Sequence, residues 1–408
     1  MTNPGKKTSI VVVDGCRIPF QKANTGYRNF RAHDLARFVI RGLLDRTGMD
    51  PEKVDRVIMG NVIHDIATGN VAREAALGAG LPDSVVAHTV SMGCLSSNQA
   101  VTSAAGQIRA GQANIIIAGG TDSVSGFLSR YPLKRSASLP YTKEFSTGES
   151  VGEYSDRMSS LFGISREIQD AYAVRSHQSL IQATEQGLID EELVPVSGPP
   201  DFQPINRDNG CRSDSTPDKL GLLKPLHNRH YGTITSGNGT FHADGASAVL
   251  LMRESMALDL GLHPKARIKS WAYSAGSPAQ DMLMGPAFAI PQLLDKFRIR
   301  LEDIDVIEMH EASSGLALSV LEALSSEEFA RNRLGKRKKT GSLALKKLNR
   351  HGGSLSAGHP FAATGTRLIA SAANRLIREK AKYALVAAGA AGGLGHAMLL
   401  ESIRPQSK

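Results

Sequence analysis

Val85-Val86-Ala87-His88-Thr89-Val90-Ser91-Met92-Gly93-Cys94-Leu95-Ser96-Ser97-Asn98-Gln99-Ala100 carries an apolar, β-branched run into a cysteine. Residues 100–109 have helical composition, so Cys94 is expected where a strand hands over to a helix. Backbone N–H groups at a helix start favour negative charge and lower a thiol pKa, the setting of a nucleophilic thiolate. The other reading is a buried structural cysteine, since free cysteine packs as a small apolar residue. The local sequence leaves both open.

Working outward, strand patterns at 9–14, 54–60 and 113–120 alternate with helical patterns at 34–47, 70–77 and 100–109. The strands are apolar throughout, as in an α/β sheet covered on both faces. Residues 121–229 break the rhythm with scattered Gly, Pro and Ser and one clear helix at 165–187, and read as an inserted loop domain. The final third repeats the first. A strand at 266–271, a helix at 286–297 and a strand at 304–309 lead to His310-Glu311; Gly358-His359-Pro360 then opens a small-residue helix, followed by a strand at 383–388. Two copies of one unit are the economical reading. The expected division is a first half at 1–120 completed by 230–262, the loop domain at 121–229, and a second half at 263–408. Cys94 and His359 then occupy equivalent places, and ligands collect at the carboxyl ends of strands, so the two loops should meet.

Composition narrows the function. The 408 residues suffice for two or three domains with large cores, and 41% hydrophobic with 21% charged residues is ordinary for a globular chain. Three scattered cysteines, Cys16, Cys94 and Cys211, fit neither a disulfide framework nor a zinc site, and no metal is implied. They suggest a reducing compartment, and the opening residues 1–7 show no apolar signal or transit pattern, so a cytoplasmic location is expected. The one window resembling a membrane span, 383–400, holds four glycines and His396 and fits buried strands better; membrane association is not evident. The net charge of +9 suits anionic ligands. Lys336-Arg337-Lys338-Lys339 has few aromatic neighbours, which argues against nucleic acid.

The ordered motifs Gly93-Cys94-Leu95-Ser96-Ser97-Asn98-Gln99-Ala100, Arg157-Met158, Gly163-Ile164-Ser165-Arg166, Ala243-Asp244-Gly245-Ala246, His310-Glu311-Ala312, Gly352-Gly353-Ser354, Gly358-His359-Pro360-Phe361-Ala362-Ala363-Thr364-Gly365 and Gly392-Gly393-Leu394-Gly395 resemble a thiolase, of the type paired with a trifunctional β-oxidation partner. The resemblance covers almost the whole chain. It implies a five-layered αβαβα fold, an acyl-CoA substrate, and cleavage or formation of 3-ketoacyl-CoA through an acyl-cysteine.

Retro-Claisen cleavage needs a thiolate, a group to activate it, donors for two oxyanions and an acid for the departing enolate. By resemblance, Cys94 is the nucleophile, His359 activates it, and His310 holds the acetyl-CoA enolate oxygen, with Glu311 orienting neighbours. The backbone N–H groups of Cys94 and Ala391 form an oxyanion hole. Met158 lies beside the acyl-cysteine, and Thr240 and Arg212 bind coenzyme A, which is a substrate and not a resident cofactor. Two positions depart from the pattern. Ser313 stands where the family has phenylalanine, which loosens or polarises the acyl pocket. Gly389 stands where the family has its second catalytic cysteine and has no side chain to move a proton. A homodimer and a multifunctional hydratase/dehydrogenase partner are the implied assemblies. The glycine keeps open a condensing enzyme with a Cys-His-His site fed by a malonyl donor, and a non-catalytic CoA-binding homologue.

Overall fold

The protein is described from a computed structural model covering residues 9–130, 142–199 and 202–403. The opening residues 1–7 lie outside this range. Ten strands occur in chain order: β1 (Ile10–Arg17), β2 (Gln21–Lys22), β3 (Arg56–Gly60), β4 (Val86–Val90), β5 (Ile115–Asp122), β6 (Ala243–Arg253), β7 (Ala266–Ala275), β8 (Val306–Met309), β9 (Tyr383–Ala390) and β10 (Leu394–Ser402). They lie in the order β4-β3-β5-β6-β1-β7-β10-β9-β8, with β2 on β6.

The order contains its own repeat. β3 and β5 are parallel, and β6 is antiparallel to both β5 and β1. β8 and β9 are likewise parallel, and β10 is antiparallel to both β9 and β7. The halves are joined by two residue pairs, Val11 with Arg267 and Val12 with Ala266. The sheet is therefore mixed, because β6 and β10 run back between parallel neighbours.

Eight helices of more than one or two turns matter for the site: α1 (Ala32–Thr47), α2 (Val71–Gly78), α3 (Ser96–Arg109), α4 (Val151–Leu161), α5 (Arg166–Glu185), α6 (Pro286–Phe297), α7 (Ser314–Ser325) and α8 (Thr364–Arg378). Strand side chains alternate between faces, and three cores result. Ile10 and Val12 of β1 and Ile116 and Ala118 of β5 pack on α3 and α8, together with Val386 and Ala388 of β9. Val11, Val13, Ile115 and Ile117 face outward onto α1 and α2. Leu385 and Ala387 face the other way, onto α6 and α7. Helix, half-sheet, helix pair, half-sheet and helix make the five layers, with α3 and α8 at the centre.

The loop segment holds more regular structure than its composition suggests. α4 starts at a capping box in which Ser150 Oγ accepts the Glu153 N–H at 3.2 Å and Glu153 Oε2 accepts the Ser150 N–H at 2.8 Å. Its small residues read as loop, yet tertiary packing of Tyr154 and Met158 into the outer core sustains a helix. No helix among the described residues is long and apolar enough to cross a membrane.

Candidate active site

Cys94 and His359 each follow a glycine in the left-handed region, Gly93 at φ 55° and Gly358 at φ 98°. Each leads into one of the two central helices, α3 and α8. The Cys94 turn is closed by Ser96, whose Oγ accepts the Met92 N–H at 2.8 Å and donates to the Gly93 carbonyl at 2.6 Å. Asp122, at the carboxyl end of β5, fastens the flanking loops. Its Oδ1 accepts the N–H groups of Val62 and Ile63 at 3.0 and 2.8 Å and the Asn61 amide at 2.8 Å, while Oδ2 accepts the Ala362 N–H at 2.8 Å. Burial pushes its carboxyl up to about 7 against these donors. Between His359 and the Ala362 anchor, Phe361 has φ 25°, a strained value for a bulky residue.

The two loops do meet. His359 Nε2 lies 3.1 Å from Cys94 Sγ, and His359 Nδ1 lies 2.6 Å from Thr364 Oγ1. His310, beyond the end of β8, stacks on His359 with ring centroids 4.0 Å apart. Its Nδ1 is 2.9 Å from Ser354 Oγ, which also accepts from Arg367 Nη2 at 3.4 Å. His310 Nε2 is buried and has no hydrogen-bond partner among the described residues. One nitrogen from each ring and the thiol sulfur lie within 4.8 Å of one another.

The expected depression of the thiol pKa is not what the structure shows. Burial pushes the Cys94 thiol up to about 12, with the nearby Asp122 carboxylate acting in the same direction. Desolvation of the charged sulfur outweighs the helix start. Burial, with Arg367 adding to it, pushes His310 down to about 3, and burial followed by His310 and Arg367 holds His359 well below the usual imidazole range. The resting pair is therefore neutral thiol and neutral imidazole, poised for proton transfer during attack and not before it.

A cavity of about 270 Å³ opens over this cluster. Cys94, His310, His359, Ser313, Thr240 and Ala391 all line it. Ser313 Oγ caps α7 by accepting the Leu316 N–H at 3.1 Å and lies 2.5 Å from Ser155 Oγ, so the wall expected to be polarised carries a buried hydroxyl pair. Thr240 Oγ1 donates to the Ala312 carbonyl at 3.1 Å. Met158 and Arg212 are not on the wall. α4 turns Val151, Gly152 and Ser155 to the cavity, whereas Tyr154 and Met158, four apart, face the outer core. The Arg212 N–H is bonded to His177 Nδ1 at 3.2 Å, outside the cavity. Glu311 braces the loop behind His310: its Oε1 accepts from Tyr172 Oη at 2.8 Å and Asn349 Nδ2 at 2.6 Å.

Ser354, Thr364, Arg367, Asp122 and Ser155 were not legible as site residues. Ser354 and Thr364 sit inside quoted motifs, and their hydroxyls at fixed spacing from His359 were the available signal. A Cβ at Gly389 would lie 2.7 Å from the Leu283 carbonyl oxygen, so backbone occupies the space a side chain there would need.

Comparison with known proteins agrees with this architecture. The thiolase N-terminal domain family matches residues 10–255 and the thiolase C-terminal domain family residues 262–402. The chain is 44% identical to the mitochondrial trifunctional enzyme subunit beta of Bos taurus, covering 97% of this chain and 88% of that protein. It is 41% identical to a 3-ketoacyl-CoA thiolase of Photorhabdus laumondii, covering 96% of each. The crystal structure of human mitochondrial 3-ketoacyl-CoA thiolase superimposes with a TM-score of 0.86 at 28% identity, covering 97% of this chain and 99% of that one. Motifs, layered fold and the Cys94–His359 pair converge: the chain belongs to the thiolase family.

Proposed function

We propose that this chain is an acetyl-CoA C-acyltransferase, a 3-ketoacyl-CoA thiolase that cleaves its substrate with CoA through an acyl group on Cys94, in fatty acid β-oxidation. The observation that carries the reading is the 3.1 Å contact between Cys94 Sγ and a neutral His359 at the base of the cavity. The thiol attacks the 3-keto carbon as its proton passes to His359, and CoA then releases the acyl group. His310 Nε2 and the N–H groups of Cys94 and Ala391 are the oxyanion donors. CoA enters past Thr240, with Arg212 toward its nucleotide end, as a substrate and not a resident cofactor. The hydroxyl pair Ser155–Ser313 gives the acyl wall a polar spot.

The bovine relative is named as one subunit of a trifunctional enzyme, which supports a partner subunit here; the family resemblance makes that partner a multifunctional hydratase/dehydrogenase, and a homodimer is the expected core assembly. Three free cysteines support a reducing compartment such as the cytoplasm, although that relative is named as mitochondrial. Steady-state thiolysis of a medium-chain 3-ketoacyl-CoA tests the reading. Wild type should turn over and Cys94→Ala should not; equal rates in the two would refute it.

A further inference from the structure

Thiolytic cleavage moves a proton twice, off the attacking thiol and onto the departing enolate carbon, and the position that resemblance assigns to the second transfer is Gly389. We propose that His359 makes both transfers in this chain, taking the proton from Cys94 and delivering it to C2 of the acetyl-CoA enolate, while His310 serves only as a hydrogen-bond donor. The inference rests on the thiolase reading above.

Three observations converge on it. Gly389 has no side chain, and the Leu283 carbonyl closes the space beside it. Of the histidines lining the cavity, His310 and His359 are the two that cluster with the thiol, one nitrogen of each ring and the sulfur lying within 4.8 Å of one another. Those two are wired differently. Ser354 Oγ accepts from Arg367 Nη2 and can direct its own hydrogen at His310 Nδ1; in that arrangement Nε2 carries the ring proton, a donor with no lone pair to offer. The Arg367 charge opposes a second proton on either ring, so the hydroxyl partners and the contact with sulfur set the two apart. Among the described residues His359 Nδ1 meets the Thr364 hydroxyl, and with its N–H donated there the Nε2 lone pair faces sulfur.

Reach permits both transfers. In the tetrahedral adduct C2 is two bonds from sulfur, so a nitrogen 3.1 Å from Sγ can also approach C2 when the adduct turns that carbon toward the ring. The balance closes without another reactant. The S–H proton moves to Nε2 as the C–S bond forms, the C2–C3 bond breaks with its pair going to C2, and the Nε2 proton follows. The CoA thiol then gives its proton to Nε2 as it attacks, and the departing Cys94 sulfur takes that proton back. Burial makes the transient imidazolium a strong acid, as a carbanion leaving group needs.

The test is deuterium exchange into the methyl group of acetyl-CoA in D₂O, the reverse of enolate protonation, followed by mass spectrometry on the full chain. Wild type should exchange. His359→Gln should lose at least about 100-fold while still binding CoA, which shows it folded. His310→Ala should slow exchange without altering its pH dependence. Exchange within tenfold of wild type in His359→Gln overturns the proposal, as does absence of exchange in a wild type whose Cys94 is acylated by an acyl-CoA. If Cys94 is never acylated, the thiolase reading fails and this inference with it.

Discussion

His310 and His359 lie face to face, ring centroids 4.0 Å apart and planes 30° apart, yet each is tied to a different hydroxyl. Ser354 holds one and Thr364 the other, so two chemically identical rings can take opposite hydrogen-bonding roles at one thiol, as proposed above. Separating titratable partners by their surroundings in this way is how a site sorts its donor from its proton carrier.

Ser354 is therefore a positioning residue. Ser354→Ala removes the hydroxyl that orients His310, and loss of one such bond is worth about 1 kcal/mol, or roughly five-fold in rate. The expected result is a lower kcat with KM unchanged, and recovery in Ser354→Thr. A raised KM with kcat intact would place Ser354 in substrate binding.

Restoring a thiol at position 389 should not restore the family arrangement. The new Cβ meets the Leu283 carbonyl oxygen at 2.7 Å, a backbone atom that cannot swing aside. Overpacking of this kind destabilises by about 1–3 kcal/mol. Urea unfolding of Gly389→Cys should show that loss, with no gain in thiolysis. Wild-type stability with faster turnover would show that the space is open.

His396 gives a pH prediction. Its ring is fully buried against Tyr273 at 4.8 Å, neither nitrogen has a partner among the described residues, and burial pushes it down to about 3 from 6.5. Between those values the unfolded chain binds a proton that the folded chain refuses, so stability falls as pH drops through that window. His396→Leu removes this dependence. Its unfolding free energy should match or exceed wild type at pH 7 and gain on wild type steadily toward pH 5; parallel curves would contradict the assignment.

Some of this was legible from residue order alone. Continuous apolar runs such as Ile10-Val11-Val12-Val13 announce strands with two covered faces, and the recurrence of Gly-Cys and Gly-His before small-residue helices announces the duplication. The return strands β6 and β10 were not announced as antiparallel, because buried strands look alike whichever way they run. Helix α4 was hidden by its small polar residues, and Met158 and Ser155 could be told apart only once its faces were known. The thiol's raised pKa was illegible for a related reason: a helix start is visible in sequence, whereas the desolvation that overrides it depends on what α8 and the Phe361 loop bring over the sulfur.

The most direct test of the central claim is the mass of the Cys94 peptide after mixing the protein with a 3-ketoacyl-CoA in the absence of free CoA. The account predicts an acyl adduct on Cys94 that disappears when CoA is added, together with release of acetyl-CoA. An unmodified Cys94, with substrate bound but uncleaved, would contradict it.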